Sequence, residues 1–542
     1  MSALGLRRDT GTAEPPARPT SGAGEAPTAR SPIGQGTTVP HRGAITVSIM
    51  LATIMQALDS TIANVALPHM QGSLSAASDT ITWVLTSYII AAAIMTPMAG
   101  WLSGRFGRKQ VFLVAVAGFT VASMLCGTAE SLTQMVIWRL LQGVFGAALV
   151  PLSQSVLLDI NPREKHGSAM AIWGAGIMVG PILGPMLGGW LTDEYNWRWV
   201  FYINLPVGIL AFLGIMAFLP HAARDADRPF DFFGFAMLSL GIGALQMMLD
   251  RGELKDWFSS TEILIEGALA VGGLYVFLTH SLTAEHPFLH PALFKDRNFV
   301  AGLVLIFIVG IILLATLALL PPMLQNLMNY PVITTGLVTA PRGVGTLLAM
   351  LAVGRLVNRV DSRLLMFLGL ALTAYSLYEM MGYSLQMGEG PIIWAGMVQG
   401  VGLGFIFVPL SAVTFATLPS EFRTEAAGIY SLLRNVGSSA GISIVQTLLI
   451  QNTQINHATI AEHVTRYNPL FHFPQIEKFW DIHTTTGLAA LNQEITRQAA
   501  MIAYINDFKL MMIVTLAAIP MLLLVRKPAR QPAAAATAAA LE

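Results

Sequence analysis

Charge is what this 542-residue chain has least of. Asp, Glu, Lys and Arg make up 11% of it, against about a quarter in an ordinary soluble domain. A folded, water-soluble body of this length would need a far more charged exterior, so a soluble enzyme, a disordered protein and a nucleic-acid binder are all excluded. Cysteine is nearly absent too. Cys126 stands alone in an apolar run, which rules out a disulfide framework and a cysteine-based metal site; it reads as a small buried residue. No Gly-x-x-x-x-Gly-Lys-Ser/Thr phosphate loop occurs, so ATP is not an energy source within this chain. Net charge is zero, with 31 basic and 31 acidic residues, and points to no partner.

What the chain has in abundance is apolar runs of the length that crosses a bilayer, about 20 residues. Fourteen can be counted, at 44–67, 82–102, 110–128, 133–157, 168–191, 198–220, 232–250, 261–282, 299–321, 333–357, 363–384, 390–416, 424–451 and 501–524. Each must be helical, because lipid offers no partner to free backbone groups. The fold class is therefore an all-α membrane protein. Orientation follows from Lys and Arg. With the N-terminus inside, cytoplasmic segments carry 21 of the 31 basic residues and outside loops six, which places both termini in the cytoplasm.

Residues 1–43, rich in Pro, Gly, Ala, Thr and Arg, read as a disordered cytoplasmic tail. No apolar stretch with a cleavage site marks a signal peptide. Two six-helix bundles are expected at 44–220 and 299–525. Between them, 221–298 holds a polar joint (221–231) and two extra membrane helices. Residues 526–542 form a cytoplasmic tail ending, after an alanine tract, in what reads as a cloning scar. The longest break in the apolar pattern is 452–500, expected as a 49-residue outside loop with structure of its own. It contains Phe471, Phe473, Phe479 and Trp480. Four histidines, His457, His463, His472 and His483, also lie there, at spacings that make no metal pair.

An internal echo supports the two-bundle reading. Gly100, Leu102, Arg105 and Lys109 close the second run; Gly354, Leu356, Arg359 and Arg363 close the tenth at the same offsets. Parallel repeats of this kind mark transporters. In the first of these turns, the glycines at 100, 104 and 107 allow two helix ends to approach closely, which marks Gly100, Arg105, Gly107, Arg108 and Lys109 as a candidate gating loop.

Charged residues inside the runs are costly and functional by default. Asp59 and Arg139 lie at nearly the same depth, within roughly 3 Å at 1.5 Å per residue, so they can pair. The pair is either a structural ion pair or a proton-exchanging carboxylate controlled by Arg139. Arg342, Glu379 and Arg434 are further candidates for coupling or substrate contact, although Glu379 is near enough to its run's outer end to face water. Glu266 reads as an outward-snorkelling residue. In the fifth run Gly176, Gly180, Gly184 and Gly188 recur every four residues, with Pro181 and Pro185 between them and Gly189 after. Small residues at that spacing allow close helix contact, and the prolines permit bending; the ridge is expected to be a hinge or sliding surface.

Several motifs in order resemble the major facilitator superfamily, specifically its fourteen-span drug:proton antiporters of the EmrB/QacA type. They are Leu58 to Pro68 in the first run, Arg139-Leu-Leu-Gln-Gly143 in the fourth, Gly180 to Gly189 in the fifth and Trp197 to Pro206 at the start of the sixth. Leu249 to Gly252 and Asp256 to Ser260 belong to the same likeness, which covers about residues 44–525. The resemblance implies a major facilitator fold of 14 transmembrane helices and export of hydrophobic or amphipathic drugs driven by protons, with no other cofactor. It links Arg139 and its neighbours to proton transfer and Gly180 to Gly189 to antiport. It also implies an inner-membrane location, a periplasmic adaptor of the EmrA kind and an outer-membrane channel of the TolC kind, with 452–500 on the side an adaptor would occupy. One position departs from the family pattern: Gly104 stands where the loop motif usually has an acidic residue, leaving Asp159 or Asp361 to substitute. A stand-alone proton-coupled exporter or importer of a small solute is the alternative. An enzyme or sensor lacks a catalytic cluster or signalling domain, and the two-bundle echo argues against a channel.

Overall fold

In the computed structural model, residues 40–77, 80–221, 229–357, 359–465, 468 and 480–526 are described; most of the 221–231 joint falls outside them. The described residues are helical throughout their long elements. The first half comprises α1 (Arg42–Ser73), α2 (Trp83–Met95), α3 (Met98–Phe106), α4 (Arg108–Gly127), α5 (Leu132–Gly146), α6 (Leu149–Ile160), α7 (His166–Glu194), α8 (Trp199–Tyr202) and α9 (Asn204–Phe218). The inserted pair is α10 (Phe232–Arg251) and α11 (Thr261–Thr283). The second half comprises α12 (Arg297–Pro322), α13 (Val332–Leu356), α14 (Ser362–Met380), α15 (Glu389–Ala416), α16 (Arg423–Ala461) and α17 (Thr485–Ala518).

With α2 and α3, α5 and α6, and α8 and α9 each taken as one column, the helices form fourteen columns. Eleven are long and apolar enough to cross a membrane; the α2–α3 pair, bent by 56°, makes twelve. Pro97 stands at that bend and cannot continue the ladder of hydrogen bonds. The remaining two columns, α14 and α16, fall short by composition: α14 carries Arg363 and Glu379, and α16 carries Arg423, Glu425 and Arg434. Side chains cap several helix starts, as Asp296 accepts from the Phe299 amide at 2.9 Å and Asp231 from the Gly234 amide at 2.8 Å.

The first half packs around α1, which touches α7, α9 and α6; the second packs around α12, which touches α16, α15 and α17. One apolar core runs through both halves, from Ile45 and Trp173 to Phe407 and Tyr430. The inserted pair is not a detached appendage. Helix α10 lies against α2 on one side and α16 on the other. Thr86 donates to Asp250, Gln246 donates to Ser439 at 2.7 Å and Trp257 donates to Thr447 at 2.8 Å. The Arg251 guanidinium lies 5.2 Å from the Trp83 ring centre.

The expected 49-residue loop is corrected by the structure. Helix α16 runs on to Ala461 and α17 already begins at Thr485. Much of 452–500 is thus the continuation of two membrane helices, which remain paired: the His457 ring bonds Asn492 at 3.0 Å, and Asn456 Nδ2 reaches the Ala499 carbonyl at 3.5 Å. Polar residues such as Asn452, Gln454 and Asn456 end the apolar pattern there without ending the helix.

Candidate functional site

Asp59 and Arg139 meet. Arg139 Nη1 donates to Asp59 Oδ2 at 2.8 Å, and both side chains are completely buried. The carboxylate is held by three donors from two further elements' worth of sequence: Gln142 Nε2 reaches Oδ1 at 2.8 Å and Asn204 Nδ2 reaches the same oxygen at 3.0 Å. Asn204 is itself shared with the Ser123 hydroxyl at 2.9 Å, which donates on to the Phe201 carbonyl at 2.8 Å. Arg139 has other partners. Its Nε donates to the Val84 carbonyl at 3.0 Å, and its guanidinium sits 4.4 Å from the Tyr88 ring centre and 5.6 Å from that of Phe201. Asp59 and Arg139 are thus each held by several groups, the cation also by two aromatic faces. Close packing makes it possible, since a Cβ at Gly143 would lie 2.6 Å from the Tyr88 carbonyl oxygen.

A second polar cluster lies at the basic end of the molecule, where the Arg105–Lys109 turn connects α3 to α4. Gly107 takes φ +90°, a left-handed conformation that glycine adopts without strain. Arg108 ion-pairs with Asp159, the penultimate residue of α6, and Arg423 Nη1 holds the other oxygen of that carboxylate at 2.7 Å. Asp159 therefore joins the first half to α16 of the second. Asp361 caps its own helix, accepting from the Arg363 amide at 3.0 Å. Lys109 donates to the Met216 carbonyl at 2.7 Å, and Arg105 lies over Trp101 at 5.8 Å.

The repeat heard in the sequence is visible at this end. A Cβ on Gly100 would fall 2.8 Å from the Glu425 Cα on α16, and one on Gly354 would fall 2.6 Å from the Ala171 Cβ on α7. The second column of each half thus crosses the fifth column of the other, with a glycine at each crossing. Ser168 donates to the Gly354 carbonyl at 2.8 Å, and the Ser155 and Thr424 hydroxyls are 2.9 Å apart.

Residues 49–442 match the sequence model of the Major Facilitator Superfamily. The chain belongs to that superfamily. Its relatives include the fatty acid resistance protein FarB of Neisseria gonorrhoeae, 36% identical over 495 residues (90% of this chain, 98% of FarB), and the multidrug export protein EmrB of Escherichia coli K12, 37% identical over 428 residues (78% and 83%). Among solved structures it resembles the human organic anion transporter MFSD10 with a TM-score of 0.55 at 14% identity (88% of this chain, 100% of that one). The proton:xylose symporter XylE gives 0.57 at 14% identity (88% and 96%). At those identities the likeness establishes the fold alone. The chain is a facilitator-type transporter of the multidrug-export kind.

In this facilitator the span-five ridge faces its own half. A Cβ on Gly180 would meet the Ala57 backbone at 2.5 Å, one on Gly184 the Thr61 Oγ1 at 2.2 Å and one on Gly188 the Ile62 side chain at 2.9 Å. Gly176 likewise meets the end of Met50. Thr61 donates to the Gly180 carbonyl at 3.0 Å, and Pro181 and Pro185 lie within one unbroken α7. The ridge packs α7 against α1, and the contact between halves uses another face, with Gly167, Ala171 and Gly174 against Val357, Gly354 and Met350. Gly189 has open space around it and takes no part in the ridge.

The remaining candidates are not assembled into one site. Arg342, 6% exposed, donates to the Leu313 carbonyl at 3.0 Å. Arg434 on α16 is half-buried and reaches its neighbour Asn435, at 3.4 Å. Glu379 is partly exposed beside Tyr375, itself 46% exposed, on the outer side of α14. Glu266 is buried rather than snorkelling. Phe471, Phe473 and Phe479 lie outside the described residues, and Trp480 is half-buried. Gln142, Asn204, Ser123 and Tyr88 were not singled out from sequence, although Gln142 and Asn204 fall inside the quoted motifs. Asp507, buried on α17 with one carboxylate oxygen lacking a donor, was also passed over.

Proposed function

We propose that the chain is a proton-driven exporter of hydrophobic and amphipathic small molecules, the inner-membrane member of a three-part efflux pump. Relatives named for multidrug export and for fatty-acid resistance support this choice of cargo. The observation that carries the proton-coupled reading is the fully buried Asp59 with Arg139, Gln142 and Asn204 around it. When Asp59 takes a proton, its attraction for Arg139 falls, while Val84, Tyr88 and Phe201 retain the guanidinium. Because Asp59 sits on α1, Arg139 on α5 and Asn204 on α9, the change is felt by three helices of one half. Helix α1 carries it to α7 through the glycine ridge, and α7 borders the other half. The basic end is read as cytoplasmic from the distribution of Lys and Arg. Its Asp159–Arg423 contact then closes the cytoplasmic side while the opposite side loads or releases cargo.

Purified protein in liposomes with an imposed pH gradient tests this. Export of a fluorescent amphipathic drug should follow the gradient and release protons in exchange; drug movement indifferent to the gradient overturns the coupling. The adaptor is expected on the side of the paired extensions of α16 and α17, and co-purification with an EmrA-like adaptor and a TolC-like channel is the matching test.

A further inference from the structure

We infer that the second half holds a head-group site for amphipathic carboxylates, in which Arg342 receives the carboxylate beside Gln399. The inference rests on the exporter reading and names a substrate class within it.

The two halves treat their buried arginines in opposite ways. Arg139 has Asp59; Arg342 has no acidic partner among the described residues. It lies ten residues into α13, about 15 Å along the helix axis, where an uncompensated charge costs at least 2–3 kcal/mol, a rough figure from membrane-insertion scales. Its Nη2 is used on the Leu313 carbonyl of α12. Its Nη1 is buried and has no acceptor. The carboxylates of this half do not supply one: Glu379 is beside Tyr375 on the outer side of α14, and Asp507 is buried on α17 with its own Oδ2 unpartnered.

The surroundings fit a ligand head group. Two glycines of α15 bring that helix onto α13 at this point: a Cβ on Gly400 would fall 2.0 Å from the Arg342 carbonyl oxygen, and one on Gly396 lies 3.6 Å from the Arg342 Cβ. Between them Gln399 donates to Thr316 of α12 at 3.2 Å, and its Oε1 is buried without a donor. The α12–α13–α15 junction thus presents a donor lacking an acceptor and an acceptor lacking a donor. A carboxyl group satisfies the first in either protonation state and the second when protonated. A small inorganic anion would lose its hydration there with little return. An apolar tail supplies that return by leaving water.

The test uses three probes with one tail: dodecanoate, dodecylamine and methyl dodecanoate, titrated into purified protein in neutral phosphatidylcholine nanodiscs. The wild type should bind dodecanoate at least roughly tenfold more tightly than the amine or the ester, the range of a charge-assisted hydrogen bond. Arg342→Gln should abolish that preference by weakening dodecanoate binding without weakening amine binding, and Arg342→Lys should keep part of it. Equal affinity of the wild type for acid and amine overturns the proposal without any variant; so does an undiminished preference in folded Arg342→Gln. The exporter reading fails separately: selective acid binding with no transport of any compound in liposomes sinks export and leaves the site, whereas drug export without head-group preference does the reverse.

Discussion

Arg423, the first residue of α16, bonds Asp159 of α6 at 2.7 Å, and Arg108 holds the other oxygen of the same carboxylate. One acid therefore ties a turn of the first half to a helix of the second. It does so beside the paired glycine crossings at Gly100 and Gly354. Asp159→Asn should loosen this end by roughly 1–2 kcal/mol, about 5- to 30-fold in the closed-to-open ratio. Cys126 is buried and is the chain's one cysteine, so a cysteine placed at Ser168 reports opening by its rate of maleimide labelling. Labelling of Ser168→Cys should accelerate in the Asp159→Asn background; an unchanged rate would mean that the ion pair does not hold the end shut.

Asp59→Asn should fold and insert, because Gln142 and Asn204 can still bond the amide. Gradient-driven export should vanish while substrate binding survives, since the amide mimics the protonated acid. Arg139→Lys should keep the charge but impair coupling, for an ammonium cannot reproduce the fork that serves Asp59, Gln142 and Val84 together. Arg139→Ala removes one partner of a buried pair and should cost about 3–5 kcal/mol in stability. Transport rates in liposomes and thermal unfolding in detergent check these. Wild-type, gradient-dependent export by Asp59→Asn would falsify the assignment of Asp59 as proton carrier.

Asp59 and Arg139 were legible because an ion inside an apolar run is conspicuous, and equal depth on two runs is simple arithmetic. Their neutral partners were not. Gln142, Asn204 and Ser123 barely disturb hydropathy, and only packing shows that they converge. Asp507 escaped because the apolar residues around it dominate any average over the run. The glycine spacing gave the face of α7 but could not say which helix it meets; α1 is the answer. The all-helical membrane class was legible from length and hydropathy, which carry eleven or twelve of the helices, whereas helix beyond the apolar segments was not, since polar residues there look like a loop.

The ridge gives an internal control. Gly184→Val places a branched side chain where a Cβ alone would be 2.2 Å from Thr61 Oγ1; overpacking of that kind costs about 1–3 kcal/mol. Gly189→Val enters open space and should change stability by less than about 0.5 kcal/mol. Export should fall sharply in the first and persist in the second. Equal effects on unfolding temperature and transport would show that α7 and α1 are not in close contact.

The paired extensions of α16 and α17 are the last feature to assign. Both helices continue past their apolar segments, where no bilayer requires them, and they stay joined by His457–Asn492 and Asn456–Ala499. A connection between adjacent antiparallel spans needs only a few residues, so both helices are longer than the connection requires. The exposed flank includes Ile455, 61% exposed, and Leu488, 45% exposed, apolar side chains of the kind that anchor a partner. Replacing 456–496 by a short Gly/Ser turn removes these extensions and leaves the apolar segments of both helices in place. Insertion and drug binding should be unchanged, while co-purification with the adaptor and drug resistance in cells should both fall. Loss of resistance with the adaptor still bound would mark the extensions as a cap over the transport path. Full resistance with normal adaptor binding would reduce them to a spacer and move the docking surface elsewhere on the transporter.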